Sequence, residues 1–142
     1  MKKYSAFLLL LLVVFSCKKY PEGPTLSLSS KKERMANSWV LIKAIESGVD
    51  KTGDYQTAFK DFNLVIDKEG TYSMSYVAFG IANYSETGSW FFNGNKEKVT
   101  FDPSSNGNDN STDNILRLKQ KELWLLDEDF NGKILEMHLA PK

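Results

Sequence analysis

The sequence predicts an all-β domain, an eight-stranded antiparallel up-and-down barrel with a short N-terminal helical turn. From residue 31 onward, apolar and polar side chains alternate with a period of two, which is typical of strands with one buried face. After the first loop, every link between these segments but one is short, which favours antiparallel neighbours over helical crossovers. A meander of eight strands can close into a barrel and remove its exposed edges. A β-sandwich of the same strands is the alternative architecture.

The elements can be assigned in chain order. Segment 29–36 fits a helical turn, with Ser30 as N-cap and Glu33 as its capping-box partner. A loop rich in Gly and Asp is expected after the first strand, through Gly53 and Asp54. The eight predicted strands are residues 38–46, 61–67, 71–78, 87–93, 96–102, 113–119, 122–127 and 133–140.

Turn residues separate the predicted strands. Gly70 ends the turn Asp-Lys-Glu-Gly, and glycine accepts the positive φ that short hairpins need. Asn93-Gly94-Asn95 and Asn131-Gly132 are further hairpin signals. A polar loop over residues 103–112 is the one long link in this part of the chain.

A secretory signal peptide occupies residues 1–16. Lys2 and Lys3 form its positive n-region, Ala6 to Phe15 form an apolar h-region, and the small residue Ser16 follows. The apolar run is too short for a transmembrane helix, which needs about 20 apolar residues.

The only cysteine, Cys17, follows this signal directly. Val14-Phe15-Ser16-Cys17 resembles the lipobox of bacterial lipoproteins, with an aliphatic residue at the third position before the cysteine and a small one just before it. The resemblance implies cleavage before Cys17, diacylglycerol on its sulfur, and a further acyl chain such as palmitate on the new N-terminus. Several acyl chains give a stable membrane anchor where one chain gives only a marginal one.

The segment after the anchor is expected to be a tether. Residues 17–30 comprise Cys17 and thirteen residues rich in Lys, Pro, Gly and Ser, and these thirteen span roughly 40 Å when extended. The segment has no acidic run of the kind that surface-exposed lipoproteins of the Bacteroidota resembling this one carry. An outer-membrane lipoprotein facing the periplasm is therefore predicted, with the cell surface as the alternative.

Composition and charge exclude several classes of function. The chain has 18 basic and 18 acidic residues, and its only arginines are Arg34 and Arg117, so it lacks the basic patch of a nucleic-acid binder. One histidine, His138, and one lipidated cysteine cannot supply a zinc site or a catalytic triad. We expect no enzyme activity, no metal and no cofactor.

The acidic residues near the last hairpin have a simpler interpretation than a metal site. Asp127, Asp129 and Asn131 have nearly the spacing of a calcium loop, but the twelfth position is His138 instead of Glu. Strand patterns flank the segment where helices would be needed, so a hairpin with solubilising acids is predicted.

Four segments carry a resemblance to a known family. They are Asn-Ser-Trp with Trp39 at the start of the first strand, residues 67–72, Gly-Ser-Trp at 88–90, and the closing segment 132–141. Together they resemble the lipocalin-like domains of Bacteroidota lipoproteins, over residues 31–142. In lipocalins the first-strand tryptophan plugs the base of the barrel, and the resemblance implies the same role for Trp39.

Aromatic residues provide the candidate ligand-binding surface. If their strand faces point inward, they line an apolar pocket with hydroxyl groups that can orient a ligand. The candidates are Tyr72, Met74, Tyr76, Trp90, Phe92 and Trp124.

Two functions remain open at this stage. The first is a carrier of a small apolar or amphipathic ligand. The second is an interaction module with a filled barrel, which docks an envelope protein through an outer face or the 103–112 loop.

Overall fold

The computed structural model describes residues 29–104 and 110–142. The predicted signal peptide, Cys17, most of the tether and part of the 103–112 loop lie outside the described residues. The described chain contains two helices and nine strands. They are α1 (Lys31–Met35), β1 (Asn37–Glu46), β2 (Val49–Asp50), α2 (Thr52–Ala58), β3 (Phe59–Ile66), β4 (Thr71–Ala78), β5 (Ala82–Phe92), β6 (Lys98–Pro103), β7 (Ser111–Lys119), β8 (Glu122–Phe130) and β9 (Lys133–Pro141).

Eight of these strands form a closed antiparallel barrel. Each strand from β3 to β9 pairs with the next, β1 pairs with β3, and the first and last strands pair from Trp39–Pro141 to Glu46–Leu135. The two-residue strand β2 only folds back on the end of β1. The predicted barrel is confirmed, and the β-sandwich alternative is wrong because the β1–β9 pairing leaves no two separate sheets.

The predicted strands are found with shifted ends. The largest shift is in β5, which begins at Ala82 and not at residue 87. Its first half alternates Tyr84 and Glu86 with small polar residues, so no apolar stripe marks it in the sequence. This half exists because it pairs along its whole length with β4, from Ala78–Ala82 to Tyr72–Gly88.

Helix α2 replaces the loop that was predicted through Gly53 and Asp54. Asp50 accepts hydrogen bonds from the backbone nitrogen of Thr52 at 3.0 Å and from its hydroxyl at 2.7 Å, which fixes the start of the helix. Tyr55 is buried against Ala44 and Leu135, so packing on the barrel stabilises a helix that its own sequence does not favour.

One end of the barrel is closed by α1 and Trp39; we call this the closed end. The predicted capping box is present, because Ser30 accepts from the Glu33 backbone and the Glu33 side chain accepts from the Ser30 backbone. The chain then turns so that fully buried Met35 and Trp39 cover the core. The indole nitrogen of Trp39 donates to the Met35 carbonyl at 2.9 Å, which satisfies a buried polar group and joins α1 to β1.

The core and the strand pairs of the described chain all lie between residues 31 and 142. A fragment that spans 25–142 therefore contains the complete barrel and can fold as an independent domain. Within the described ranges, neither helix has the length and apolar character that crossing a bilayer requires.

A close approach of two strands makes Gly88 on β5 irreplaceable. A Cβ atom at this position would lie 2.1 Å from the carbonyl oxygen of Asp102 and 2.8 Å from the Tyr72 ring. We expect Gly88→Ala to lower the free energy of unfolding by about 2 kcal/mol or more, because backbone and ring must both move. Urea unfolding of the 25–142 fragment measures this change.

Gly53→Ala is the matched control for this substitution. Gly53 lies in α2, and a Cβ there meets no atom within 4 Å. The control should shift stability by less than about 1 kcal/mol, towards greater stability. Equal stability of Gly88→Ala and the native fragment would contradict the close approach.

Candidate functional site

A cavity of about 310 Å³ lies inside the barrel, beyond the core that fills the closed end. Its walls are mainly apolar, and all eight barrel strands contribute to them. The lining residues are Leu41, Phe59, Phe62, Leu64, Tyr72, Met74, Tyr76, Glu86, Phe101, Ser111, Asp113, Leu125, Asp127, Phe130, Leu135, Met137 and Leu139. This volume is at the lower end of the range for small-molecule sites.

Three of the six predicted ligand-binding residues line this cavity: Tyr72, Met74 and Tyr76. They alternate along β4, so one strand face brings them together as the sequence pattern indicated. The Tyr72 hydroxyl is already engaged by Glu86, whereas no hydrogen bond of the Tyr76 hydroxyl is found among the described residues. Tyr76 is therefore the hydroxyl that a ligand can use.

Trp90 and Phe92 share an inward face, as predicted, but they lie in the packed core and not at the cavity. The Trp90 indole nitrogen donates to the Asp67 carbonyl at 2.9 Å, and its ring contacts Phe92 edge-on at 5.2 Å. Asp67 also accepts from the backbone nitrogens of Gly70 and Thr71. Trp90 therefore holds the β3–β4 hairpin, and neither it nor Phe92 is among the residues that line this cavity.

Trp124 lies on the outer face of β8, between Leu123 and Leu125, which point inward. Its ring stacks on His138 with centroids 3.9 Å apart, and the Arg117 guanidinium lies 4.5 Å from the ring centre. His138 is thus covered by Trp124, and its Nε2 lies 2.6 Å from a carboxylate oxygen of Glu136. Trp124 is therefore not among the residues that line this cavity.

Three carboxyl groups in the cavity wall, Glu86, Asp113 and Asp127, were not predicted as site residues. Asp113 shares the inward face of β7 with Ile115, and Asp127 follows Leu125 inward on β8. Asp127 was assigned to the solubilising hairpin acids, which is correct only for exposed Asp129. The strand alternation contains this information, because Asp113 and Asp127 fall on the same period-two faces as Ile115 and Leu125.

Each oxygen of the Glu86 carboxylate accepts a hydrogen bond from a tyrosine. The carboxylate accepts hydrogen bonds from the Tyr72 hydroxyl at 2.5 Å and from the Tyr84 hydroxyl at 2.6 Å. Burial and then the bond to Glu86 raise the pKa of Tyr72, while the bond to Glu86 raises the pKa of Tyr84 to about 12. Both phenols therefore stay protonated at neutral pH and act as donors.

The carboxyl group of Asp113 differs from that of Glu86 in its hydrogen bonding. Its side chain is 6% exposed, and no hydrogen bond or ion pair to its carboxyl group is found among the described residues. Burial, with a smaller contribution from nearby Asp127, raises the pKa of Asp113 from 3.8 to about 7. A carboxyl group in this environment is poised to change its charge near neutral pH.

The described residues offer no group of three or more His, Cys, Asp or Glu side chains arranged to hold a metal ion. The segment that resembled a calcium loop forms the β8–β9 hairpin, with positive φ at both Asn131 and Gly132. This is the geometry of a type I′ turn, as the Asn-Gly pair predicted.

Comparison with solved structures shows the same architecture elsewhere. A lipocalin-like protein from Bacteroides uniformis superimposes with a TM-score of 0.56 and 12% identity, over 77% of this chain and 99% of its own. This domain has a lipocalin-like fold. An uncharacterized protein from Bacteroides eggerthii shares that fold, with a TM-score of 0.53 and 8% identity over 75% and 98% of the two chains.

A third structure extends the lipocalin-like comparison. Apocrustacyanin C1 aligns with a TM-score of 0.50 and 14% identity, over 78% of this chain and 62% of its own. Neither a family model nor a curated protein sequence matches this chain. The similarity is therefore one of fold, and the arguments about function depend on the cavity of this lipocalin-like barrel.

The buried acid of the lipocalin-like barrel should leave a signature in the pH dependence of stability. Between about pH 4 and about pH 7 the folded protein keeps a proton on Asp113 that the unfolded chain releases. The contribution of Asp113 to stability therefore falls as the pH rises through this window and is constant above it. Asp113→Asn removes this titration and should make the fragment more stable at about pH 8, by on the order of 2 kcal/mol.

Urea unfolding of the variant and of the native fragment at several pH values measures this gain. The contributions of the other carboxyl groups to stability cancel in the difference. Glu128→Gln, at an exposed position on the same strand as Asp127, is the control and should show a pH-independent difference. A constant difference for Asp113→Asn as well would contradict a buried, unpaired carboxyl group.

Proposed function

We propose that this protein is a binding protein whose lipocalin-like barrel holds a small apolar or amphipathic molecule. The observation that carries the proposal is the 310 Å³ cavity inside the barrel. A core filled by side chains would leave voids no larger than a water molecule, whereas this space accommodates a molecule of about a dozen heavy atoms or more.

The chemistry of the walls supports a ligand with an apolar body. Aliphatic side chains such as Leu125 and Leu139 and aromatic ones such as Phe59 and Phe101 line the cavity. Burial of apolar ligand surface against them stabilises a complex by roughly 25 cal/mol per Å² before the cost of association. The free Tyr76 hydroxyl adds one directional hydrogen bond.

The alternative of an interaction module with a filled barrel has less support. A cavity inside the barrel removes its premise of an interior filled by side chains. Part of the 103–112 loop, which was its other candidate surface, lies outside the described residues.

We also propose that lipid on Cys17 holds this protein in the outer membrane, with the barrel in the periplasm. This part of the proposal is supported by the lipobox-like sequence and the tether composition. The position of Ser29 is compatible with it, because Gln120 in the β7–β8 turn bonds the Ser29 hydroxyl at 3.0 Å. A tether that ends there joins the barrel at the closed end.

Filling the cavity should prevent ligand binding. Met74→Trp adds a large ring from the cavity wall, so we expect the affinity of the 25–142 fragment for the neutral fluorescent probe N-phenylnaphthylamine to fall at least about tenfold. The increase in probe fluorescence on binding gives the dissociation constant.

Ser75→Trp places the same ring on the outer face of the same strand and is the matched control. It should bind the probe as the native fragment does. Binding of equal strength by Met74→Trp, or no probe binding by the native fragment, would refute the cavity as a ligand site.

The anchor can be tested in cells. Cys17→Ser should abolish metabolic labelling of the full chain by an alkynyl palmitate, because the thioether-forming sulfur is lost. Ser16→Ala keeps a small residue before the cysteine and should be labelled normally. Labelling of Cys17→Ser at the native level would rule out lipidation at this residue.

A further inference from the structure

The strongest unexplained feature of the cavity is the isolated carboxyl group of Asp113. This side chain is more than nine-tenths buried and lines the cavity, and no partner for it is found within the described ranges. Burial of an unpaired carboxylate is costly, and isolated buried acids are rare in proteins without a role for them. A ligand group that pairs with Asp113 would remove this cost.

The charge of the cavity wall indicates which kind of ligand group can pair with Asp113. Three acidic residues, Glu86, Asp113 and Asp127, line the cavity, and none of its described lining residues is Lys, Arg or His. Glu86 is occupied by two tyrosine hydroxyls, and Asp127 accepts one hydrogen bond from the Asp129 backbone at 2.9 Å. Asp113 and Asp127 thus leave acceptor positions open on one side of the cavity.

Aromatic rings surround the same space. They can contact a cation through their π faces, which adds to the attraction of a carboxylate. The rings that line the cavity belong to Phe59, Phe62, Tyr72, Tyr76, Phe101 and Phe130. Phe101 on β6 pairs with Ser111, two residues from Asp113, and meets Tyr72 edge-on at 5.0 Å.

We propose that the ligand of this cavity is an organic cation, with an ammonium group paired to Asp113 beside Asp127 and an apolar body along the leucine and phenylalanine walls. This inference rests on the proposed binding function and names the chemical class of its ligand. An anionic fatty acid is excluded from the same site, because its carboxylate would meet two acids and no base.

The proposed pairing makes binding depend on pH. A cation favours the ionised form of Asp113, so its affinity rises with pH through about 7, and binding releases a proton below that value. The other titratable groups that line the cavity are Tyr72 and Tyr76 on β4, Glu86 on β5 and Asp127 on β8. The lining residues from β1, β3, β6 and β9 have no titratable side chains.

The test compares three ligands of similar length on the 25–142 fragment. Hexyltrimethylammonium has a permanent positive charge, nonanol is neutral and nonanoate is negative. Isothermal titration calorimetry should show that the cation binds at least about tenfold more tightly than nonanol at about pH 8, with nonanoate weakest. The preference of the cation over nonanol should shrink as the pH is lowered to about 5.

Asp113→Asn isolates the carboxyl group. It should reduce the affinity for hexyltrimethylammonium at least about tenfold and remove its pH dependence. Glu128→Gln removes an exposed charge and should change neither. Since Asp113→Asn is expected to be at least as stable as the native fragment, weaker binding by this variant cannot be explained by loss of folding.

The outcomes separate this inference from the proposed function. If the neutral probe binds but nonanol or nonanoate matches the cation, the organic-cation inference is wrong and the binding function stands. If Asp113→Asn leaves cation binding intact, the pairing with Asp113 is wrong. If neither the cation nor the neutral probe binds, the proposed function itself fails.

Discussion

The pairing of β1 with β9 is the constraint on which the rest of the structure depends. It joins residues about a hundred positions apart along the chain, from Trp39–Pro141 to Glu46–Leu135, and turns a meander into a closed barrel. Closure removes the two edges of the sheet and gives every strand one inward face. An eight-stranded barrel can be filled by side chains or can hold one small ligand. Here α1 and Trp39 complete the core at one end, and a cavity remains beyond it.

The interior combines two kinds of polar group with different consequences. Glu86 is bonded to two tyrosine hydroxyls, and this network stabilises the wall between β4 and β5. Asp113 has no such partner, and its burial costs stability that a neutral residue would not cost. Asp113 is therefore the residue that most distinguishes this cavity from a purely apolar one.

Period-two alternation predicted which face of most strands is buried, but it did not predict what the face contacts. Tyr72, Met74 and Tyr76 share an inward face as expected, and all three reach the cavity. Trp90 and Phe92 also point inward, yet their height along the barrel places them in the packed core. Trp124 was ambiguous because apolar residues flank it on both sides, and only the inward position of Leu123 and Leu125 assigns it to the outer face.

The sequence by itself determined the fold class, the strand faces, the capped helical turn and the tight hairpins, since these depend on side-chain periodicity and on local backbone preferences. The tertiary structure alone decided helix α2, which exists because Tyr55 packs against Ala44 and Leu135. It also decided that Asp113 and Asp127, which are ordinary strand and hairpin acids in the sequence, face a shared cavity without a basic residue among its described lining. The position of a side chain along the barrel axis depends on pairings between strands that are distant in sequence, and no local sequence pattern encodes it.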